Sequence, residues 1–175
     1  MIYNNPKRHV FLIGYMGTGK STVGKLLALG TGLIFIDTDE LISAQYGMSI
    51  GDIFDVYGED DFRNTETDVL GDISSVEDRC IVSCGGGLPI RSKNREILKS
   101  SGTVILLEAE PEEILKRIEK DESRPLLKNK KSISEISKML EARHDAYIDV
   151  ADLIISTNGK LPTEIAAEIS DQFSN

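Results

Sequence analysis

Residues 14–21, Gly-Tyr-Met-Gly-Thr-Gly-Lys-Ser, match the pattern G-x-x-x-x-G-K-[ST]. They follow a strand-like apolar run, His9–Ile13, and open a helix-like one, Lys20–Ala28, which is the context that this motif requires. Its glycines let backbone N–H groups converge on phosphate oxygens, and the helix N-terminus adds partial positive charge. Lys20 then reaches the β- and γ-phosphates, and the Ser21 hydroxyl can ligate Mg²⁺. A glycine-rich turn without a ligand is the alternative, and the strand–loop–helix placement argues against it.

Outward from this loop, strand-like and helix-like segments alternate along the chain. Short runs rich in Ile, Val and Leu predict strands at His9–Ile13, Leu33–Ile36, Cys80–Ser83, Thr103–Leu107 and Leu153–Ser156. Apolar residues at helical spacing predict helices at Lys20–Ala28, Glu112–Lys120, Ser134–Tyr147 and Leu161–Phe173. This alternation predicts an α/β fold with a parallel sheet and right-handed crossovers.

Two segments interrupt the alternation. Residues 37–78 are too long for one crossover helix and predict an inserted helical lobe beside the sheet. Its expected helices are Asp39–Tyr46, Ser49–Tyr57 and Glu59–Ile73, the last two separated by Gly58. Residues 121–132 are basic and lack periodicity, which predicts a mobile surface loop. The length of 175 residues fits one domain that spans residues 1–175.

The charge of the chain disfavours binding to nucleic acids and anionic membranes, and its hydropathy excludes a transmembrane helix. Twenty Lys and Arg against 29 Asp and Glu give a net charge of −9, which disfavours a general nucleic-acid or anionic-membrane binder. The longest strongly apolar stretches, such as Val10–Ile13, are a few residues long, whereas a transmembrane helix needs about 20. Residues 1–8 are polar and lack the apolar core of a signal peptide. We therefore expect a cytoplasmic protein and, without an evident interface stripe, a monomer.

The two cysteines, Cys80 and Cys84, fall within one strand-like run. Four residues along a strand separate two Cα atoms by roughly 13 Å, whereas a disulfide needs less than about 7 Å. A zinc site would need further ligands, and the chain has two histidines, His9 and His144. The sequence therefore predicts two buried thiols.

A second group of polar residues follows the predicted strands. Asp37 and Asp39 end the second strand, and Gly85–Gly87 follow the third. Because the carboxyl ends of strands line the ligand crevice of an α/β sheet, the two carboxylates suggest one group for Mg²⁺ and one for an acceptor hydroxyl. A helix N-cap is the alternative for the aspartates, and a flexible turn is the alternative for the glycines. Arg63, the one base among thirteen acids in residues 37–78, is either an ion-paired helix residue or a ligand for an anion.

No Asp-x-x-Gly at a strand end and no Asn-Lys-x-Asp is found, so a GTPase is disfavoured. The ordered set of motifs resembles the shikimate kinase family; the matching stretches are residues 14–24, 37–39, Phe62-Arg63 with Glu66, 85–87, 124–127 and Arg143 with Tyr147. The resemblance implies a P-loop kinase fold, a three-layer sandwich whose five parallel strands run in the order 2-3-1-4-5. It also implies transfer of the γ-phosphate of ATP to the 3-hydroxyl of shikimate, giving 3-phosphoshikimate and ADP, in chorismate and aromatic amino acid biosynthesis.

The resemblance assigns the nucleotide and metal contacts position by position. ATP is the co-substrate, and the residues implied to contact it are Gly14, Gly17, Thr18, Gly19, Lys20, Ser21, Thr22, Arg117, Arg124 and Pro162. Arg117 would stack on the adenine, and Pro162 would form the opposite wall. Mg²⁺ is the implied cofactor, held by Ser21 and, through water, by Asp37.

For the acceptor, the implied contacts are Asp39, Arg63, Gly85, Gly86, Gly87 and Arg143. Asp39 would bind the shikimate hydroxyls and orient or deprotonate the attacking one, while Arg63 and Arg143 would hold the carboxylate. This suits the chemistry, because a planar guanidinium binds a carboxylate through two hydrogen bonds. Arg124 would approach the transferred phosphate from a lid formed by residues 121–132. The implied catalytic residues are Lys20, Asp39 and Arg124.

Two rival functions remain open at this point. One is another small P-loop kinase, for gluconate or a nucleoside monophosphate. The other is a non-catalytic nucleotide-binding regulator on the same fold, although such a protein needs no acceptor site.

Overall fold

Five parallel strands form one sheet in the order β2-β3-β1-β4-β5. The computed structural model describes residues 9–120 and 132–174 of the chain. The strands are β1 His9–Ile13, β2 Ile34–Asp37, β3 Cys80–Ser83, β4 Gly102–Glu108 and β5 Leu153–Ser156. Phe11 of the central strand pairs with Val82 on one side and Val104 on the other. The predicted fold class and strand order are confirmed.

Seven helices connect and cover the strands in the described residues. They are α1 Lys20–Thr31, α2 Thr38–Tyr46, α3 Ile50–Ser75, α4 Ser92–Ser101, α5 Pro111–Lys120, α6 Ile133–Val150 and α7 Pro162–Ser174, with a 3₁₀ turn at Leu88–Ile90. The two helices expected on either side of Gly58 are both present within α3, and Gly58, whose φ of 82° and ψ of 169° are not helical, separates them as predicted. The predicted loop 121–132 lies outside the described residues except for Ser132, the N-cap of α6.

The helix α4 was not predicted from the sequence. Its ten residues are mostly polar, and only Asn94 and Leu98 are buried. Two buried positions do not define a helical period, so the sequence pattern contains too little apolar signal. Tertiary packing supplies what the pattern lacks, because Leu98 joins the core beneath β1 and β4.

The helices cover both faces of the sheet, so the molecule has three layers. On one face, Phe11, Val82 and Leu106 pack against α3, α4 and α6. On the other face, Leu12 and Ile105 pack against α1 and α7. Successive residues of each strand point to opposite faces, and both faces are buried, which explains the continuous apolar runs in the sequence.

The loops that follow β1, β2, β3 and β4 meet at one edge of the sheet, as the parallel arrangement requires. A third apolar cluster of Tyr15, Ile114, Ile118 and Ile136 packs the loop after β1 against α5 and α6. The sheet edge and this cluster together position the site described below. Within residues 9–120 and 132–174, none of the helices combines the length and apolarity needed to cross a bilayer.

Candidate active site

The loop between β1 and α1 has positive backbone φ angles at three of its glycines. Gly14, Gly17 and Gly19 have φ angles of +136°, +80° and +95°, which other residues rarely adopt. Gly14 has a further reason to lack a side chain, because a Cβ there would lie 2.3 Å from the Leu107 carbonyl oxygen. No side chain caps the N-terminus of α1, so its first N–H groups face the loop, as an anion site requires.

Lys20 lies folded inside this loop. Its Nζ donates hydrogen bonds to the carbonyl oxygens of Gly14 at 2.8 Å and Tyr15 at 3.0 Å, and the side chain is buried. The ammonium group therefore stands at the centre of the loop, next to the N–H groups. A short rotation of its flexible stem would carry it from these carbonyls to a phosphate.

Ser21 and Asp37 meet at the floor of the site. The Ser21 hydroxyl donates to Asp37 Oδ2 at 2.7 Å. The oxygen of the Ser83 hydroxyl lies 3.2 Å from the oxygen of the Ser21 hydroxyl. The other oxygen of Asp37, Oδ1, accepts from the N–H groups of Asp39 at 3.0 Å and Glu40 at 3.3 Å. The N-cap alternative and the metal alternative are therefore compatible, since each uses a different oxygen of Asp37. Sequence reasoning missed Ser83, although its place at the end of β3 was a usable signal.

These oxygens fit a magnesium ion. Mg²⁺ prefers oxygen ligands and binds through one or two protein groups together with phosphate oxygens and water. The hydroxyl of Ser21 and the carboxylate of Asp37 offer that set. Ser21 and Asp37 would supply part of a coordination shell, and the phosphate oxygens of a nucleotide with water would supply the rest.

Asp39 and Glu66 approach each other across Gly85. A Cβ on Gly85 would lie 2.5 Å from Asp39 Oδ1 and 2.9 Å from Glu66 Oε1, so only glycine fits between the two carboxylates. The N–H of Gly85 donates to the Thr38 hydroxyl at 2.8 Å, which ties the glycine loop to the start of α2. Gly85 thus leaves the space that the Asp39 and Glu66 carboxylates occupy next to the cavity.

Arg63 pairs with two acids and still lines the cavity. It donates to Glu66 Oε2 at 2.6 Å and to Glu59 Oε1 at 3.2 Å, and 13% of its side chain is exposed. Burial alone would lower the pKa of Arg63, but the hydrogen bonds and charges of the two glutamates outweigh burial and raise it. A Cβ on Gly87 would lie 2.3 Å from Arg63 Nη1, so the guanidinium packs on the glycine backbone. The ion-pair alternative is realised, and it leaves other guanidinium donors available.

Arg143 reaches the site from α6 on the opposite side. Its Nη1 donates to the Gly86 carbonyl oxygen at 3.2 Å, and the guanidinium lies 5.4 Å from the centre of the Tyr15 ring. The hydroxyl of Tyr147, one turn later on α6, donates to the same oxygen at 2.6 Å. Two arginines from separate helices thus flank the glycine loop, and guanidinium groups placed in this way suit a carboxylate ligand.

Arg117 and Pro162 lie at the other end of the cavity. Arg117 donates to the Gly17 carbonyl oxygen at 3.2 Å and to the Thr157 carbonyl oxygen at 2.6 Å, and its Nε donates to Glu113 Oε1 at 2.8 Å. These bonds hold the guanidinium over the phosphate loop. Pro162 begins α7 and lines the same cavity as Arg117.

One cavity of about 760 Å³ joins these features. Among the predicted site residues, those that line it are Gly17, Thr18, Gly19, Lys20, Ser21, Thr22, Asp37, Asp39, Arg63, Gly86, Gly87, Arg117, Arg143 and Pro162. Gly14 and Gly85 lie behind its wall, and Arg124 lies outside the described residues.

The two cysteines lack the surroundings of a reactive thiol, because burial raises the pKa of each. Both are buried free thiols, as predicted. Cys84 lines the cavity, but burial raises its pKa far above the usual range of a thiol. It therefore stays protonated and is a poor nucleophile.

Comparison with known proteins identifies the family. A family model for shikimate kinase matches residues 16–174. The shikimate kinase of Geobacter sulfurreducens is 45% identical over 163 residues, which cover 93% of this chain and 89% of that protein. The shikimate kinase of Hahella chejuensis is 40% identical over 163 residues, 93% of this chain and 84% of that protein.

Solved structures agree with this result. Shikimate kinase from Acinetobacter baumannii in complex with shikimate superimposes with a TM-score of 0.87 and 34% identity, covering 96% of this chain and 93% of that one. A gluconokinase from Sinorhizobium meliloti 1021 reaches a TM-score of 0.61 at 18% identity, covering 97% of both chains, and shares the fold alone. With a family model that spans nearly the whole chain and relatives of high identity and coverage, this chain belongs to the shikimate kinase family.

Proposed function

We propose that the cavity binds ATP at its phosphate loop and shikimate between Asp39, Arg63 and Arg143, and transfers the γ-phosphate to the 3-hydroxyl. The family match confirms the activity predicted from the sequence, ATP-dependent phosphorylation of shikimate as a step in aromatic amino acid synthesis. One observation carries the residue assignment: a phosphate loop and a site with one carboxylate and two arginines open onto a single cavity of about 760 Å³.

At the nucleotide end, the loop N–H groups and the N-terminus of α1 receive the phosphates. Lys20 leaves the carbonyls of Gly14 and Tyr15 and places its charge beside the group in transfer. Arg117 and Pro162 take the base between them. The contribution of Arg124 stays a prediction, because it lies outside the described residues.

Ser21 and Asp37 would hold Mg²⁺ on the phosphates. The ion supplies positive charge that neutralises the phosphate oxygens during transfer. The hydrogen bond between Ser21 Oγ and Asp37 Oδ2 keeps these two oxygens next to each other, where both would face the ion.

At the acceptor end, Arg63 and Arg143 bind the carboxylate of shikimate from two sides, and the N–H groups of Gly86 and Gly87 add donors. Asp39 accepts hydrogen bonds from the hydroxyls. In the reaction the 3-oxygen bonds to the γ-phosphorus, the bond from phosphorus to the ADP oxygen breaks, and the hydroxyl proton passes to Asp39. Cytoplasmic location and a monomeric state stay predictions from the sequence.

Substitution of Asp39 tests this assignment. With shikimate, gluconate and AMP offered in turn, we expect transfer to shikimate alone, and Asp39→Asn should lower kcat by about 10²- to 10⁴-fold because the amide cannot accept the proton. The dissociation constant for ATP, measured by calorimetric titration, should change little. Asp72→Asn is the matched control, since it makes the same change at an exposed carboxylate of α3 outside the cavity lining and should leave kcat unchanged. If Asp39→Asn abolishes ATP binding instead, Asp39 belongs to the metal site.

A further inference from the structure

Tyr147 holds a hydrogen bond that the proposed reaction does not use. Its hydroxyl donates to the Gly86 carbonyl oxygen at 2.6 Å, across 61 residues of sequence. The ring is 4% exposed, and burial raises the pKa of the hydroxyl, so the group stays protonated and can donate. A bond this short and this remote in sequence fixes the glycine loop to α6 at one defined point.

The peptide that joins Gly86 to Gly87 has two ends that point in opposite directions. A trans peptide is planar, so its C=O and its N–H face opposite ways. With the Gly86 carbonyl turned to α6, the N–H of Gly87 is turned away from α6. This N–H has no acceptor among residues 9–120 and 132–174. Gly87 itself lies against the Arg63 guanidinium, where a Cβ would come within 2.3 Å of Nη1.

Tyr147 also affects Arg143. Both side chains donate to the Gly86 carbonyl, but the hydroxyl is nearer, at 2.6 Å against 3.2 Å for Arg143 Nη1. Because a buried carbonyl without a partner is costly, a single donor on this oxygen would be held there. With Tyr147 as the main donor, Arg143 can turn to a ligand and the carbonyl stays satisfied.

We infer that Tyr147 is a positioning residue for acceptor binding: its hydroxyl orients the peptide between Gly86 and Gly87 so that the Gly87 N–H faces the carboxylate of the acceptor, and it releases Arg143 for the same carboxylate. Tyr147 does not touch the acceptor. The inference rests on the proposed function, since it assumes that the two arginines and the glycine loop bind the carboxylate.

Tyr147→Phe removes the hydroxyl and keeps the ring. We expect the dissociation constant for shikimate to rise about three- to tenfold, the range set by one net hydrogen bond, while that for ATP stays within about twofold. Tyr46→Phe is the control, because the Tyr46 hydroxyl lies 2.9 Å from Thr65 Oγ1 within the lobe and away from the cavity. It should lower the melting temperature comparably and leave shikimate binding unchanged. Equal effects of Tyr147→Phe on both ligands, or none on shikimate, would overturn the inference.

Two further measurements keep the outcomes separate. If Arg143→Ala leaves shikimate affinity unchanged, the proposed acceptor site itself is wrong, whereas a loss in Arg143→Ala without one in Tyr147→Phe rejects the inference alone. In the isotope-labelled wild-type protein, shikimate should shift the amide proton resonance of Gly87. An unchanged Gly87 resonance at saturation would overturn the inference even if no variant folds.

Discussion

Glu66 shows how one buried residue can serve both stability and binding. Its side chain is 1% exposed, and burial raises its pKa, while the charge and hydrogen bond of Arg63 act in the opposite direction. The nearby charge of Asp39 raises the pKa further. Glu66 holds the Arg63 guanidinium against Gly87, where the acceptor carboxylate is proposed to bind. The buried Glu66 carboxylate is therefore unfavourable by itself, and its role is to position the Arg63 guanidinium.

Glu66→Gln tests this cost through the pH dependence of stability. Because the folded-state pKa of Glu66 is raised above 4.5, its contribution to stability is fully present below pH 4.5 and is lost as pH rises through the folded-state pKa. Gln does not titrate, so the free energy of unfolding of the variant should gain on that of wild type as pH rises from about 4 to about 7. Urea unfolding at several pH values measures the difference. Glu59→Gln, which removes the exposed partner of Arg63, is the control. A difference for Glu66→Gln that is constant with pH would contradict the prediction.

At the scale of elements, two glycines that both lack a positive φ have opposite steric constraints. Gly71 lies inside α3, where a Cβ would meet nothing within 4 Å. Gly87 precedes the 3₁₀ turn, where a Cβ would come within 2.3 Å of Arg63 Nη1. Neither has a positive φ, so backbone strain does not distinguish them. The space around each glycine does.

Gly71→Ala and Gly87→Ala should therefore have different effects. Alanine at position 71 should stabilise α3 by about 0.5–1 kcal/mol, because it lowers the entropy cost of forming the helix, and should leave kinetics unchanged. Alanine at position 87 should displace the flexible end of Arg63, with little loss of stability and a rise of roughly tenfold or more in KM for shikimate. Chemical unfolding and steady-state kinetics of both variants measure this. A normal KM in Gly87→Ala would show that Arg63 does not bind the acceptor where we propose.

At the scale of the whole molecule, ligand binding and folding are linked, because the site joins segments from both ends of the chain. The cavity is lined from Met16 in the loop after β1 to Ile165 in α7. A ligand that binds only this assembled site stabilises the fold as a unit.

Shikimate at about 100 times its dissociation constant should stabilise the protein by about 2.7 kcal/mol. For a chain of this size the melting temperature should rise by roughly 5–10 °C, as scanning calorimetry can measure. A shikimate analogue with a neutral amide in place of the carboxylate is the matched ligand, and at the same concentration it should give a much smaller shift. Equal shifts with the acid and the amide would mean that Arg63 and Arg143 do not bind the carboxylate.

The sequence by itself determined the features that depend on a few neighbouring residues. The glycines and lysine of residues 14–21 specify the phosphate loop, because the backbone angles and the N–H groups belong to the loop itself. The apolar runs also predict the strands, because a strand that is buried on both faces carries a continuous apolar run within its own residues. The order of the sheet and the candidate acceptor residues came from the resemblance of ordered motifs to the family, and the sheet order is confirmed.

Only the tertiary structure decided which distant groups meet. Helix α4 forms although its own pattern is weak, Ser83 lies beside Ser21, and Tyr147 bonds to Gly86. No local pattern encodes these contacts, because they depend on which strands are neighbours and how the helices pack across them. Helix and turn signals arise from hydrogen bonds and steric limits within a few residues, whereas a contact across 61 residues exists only once the sheet has brought the two segments together.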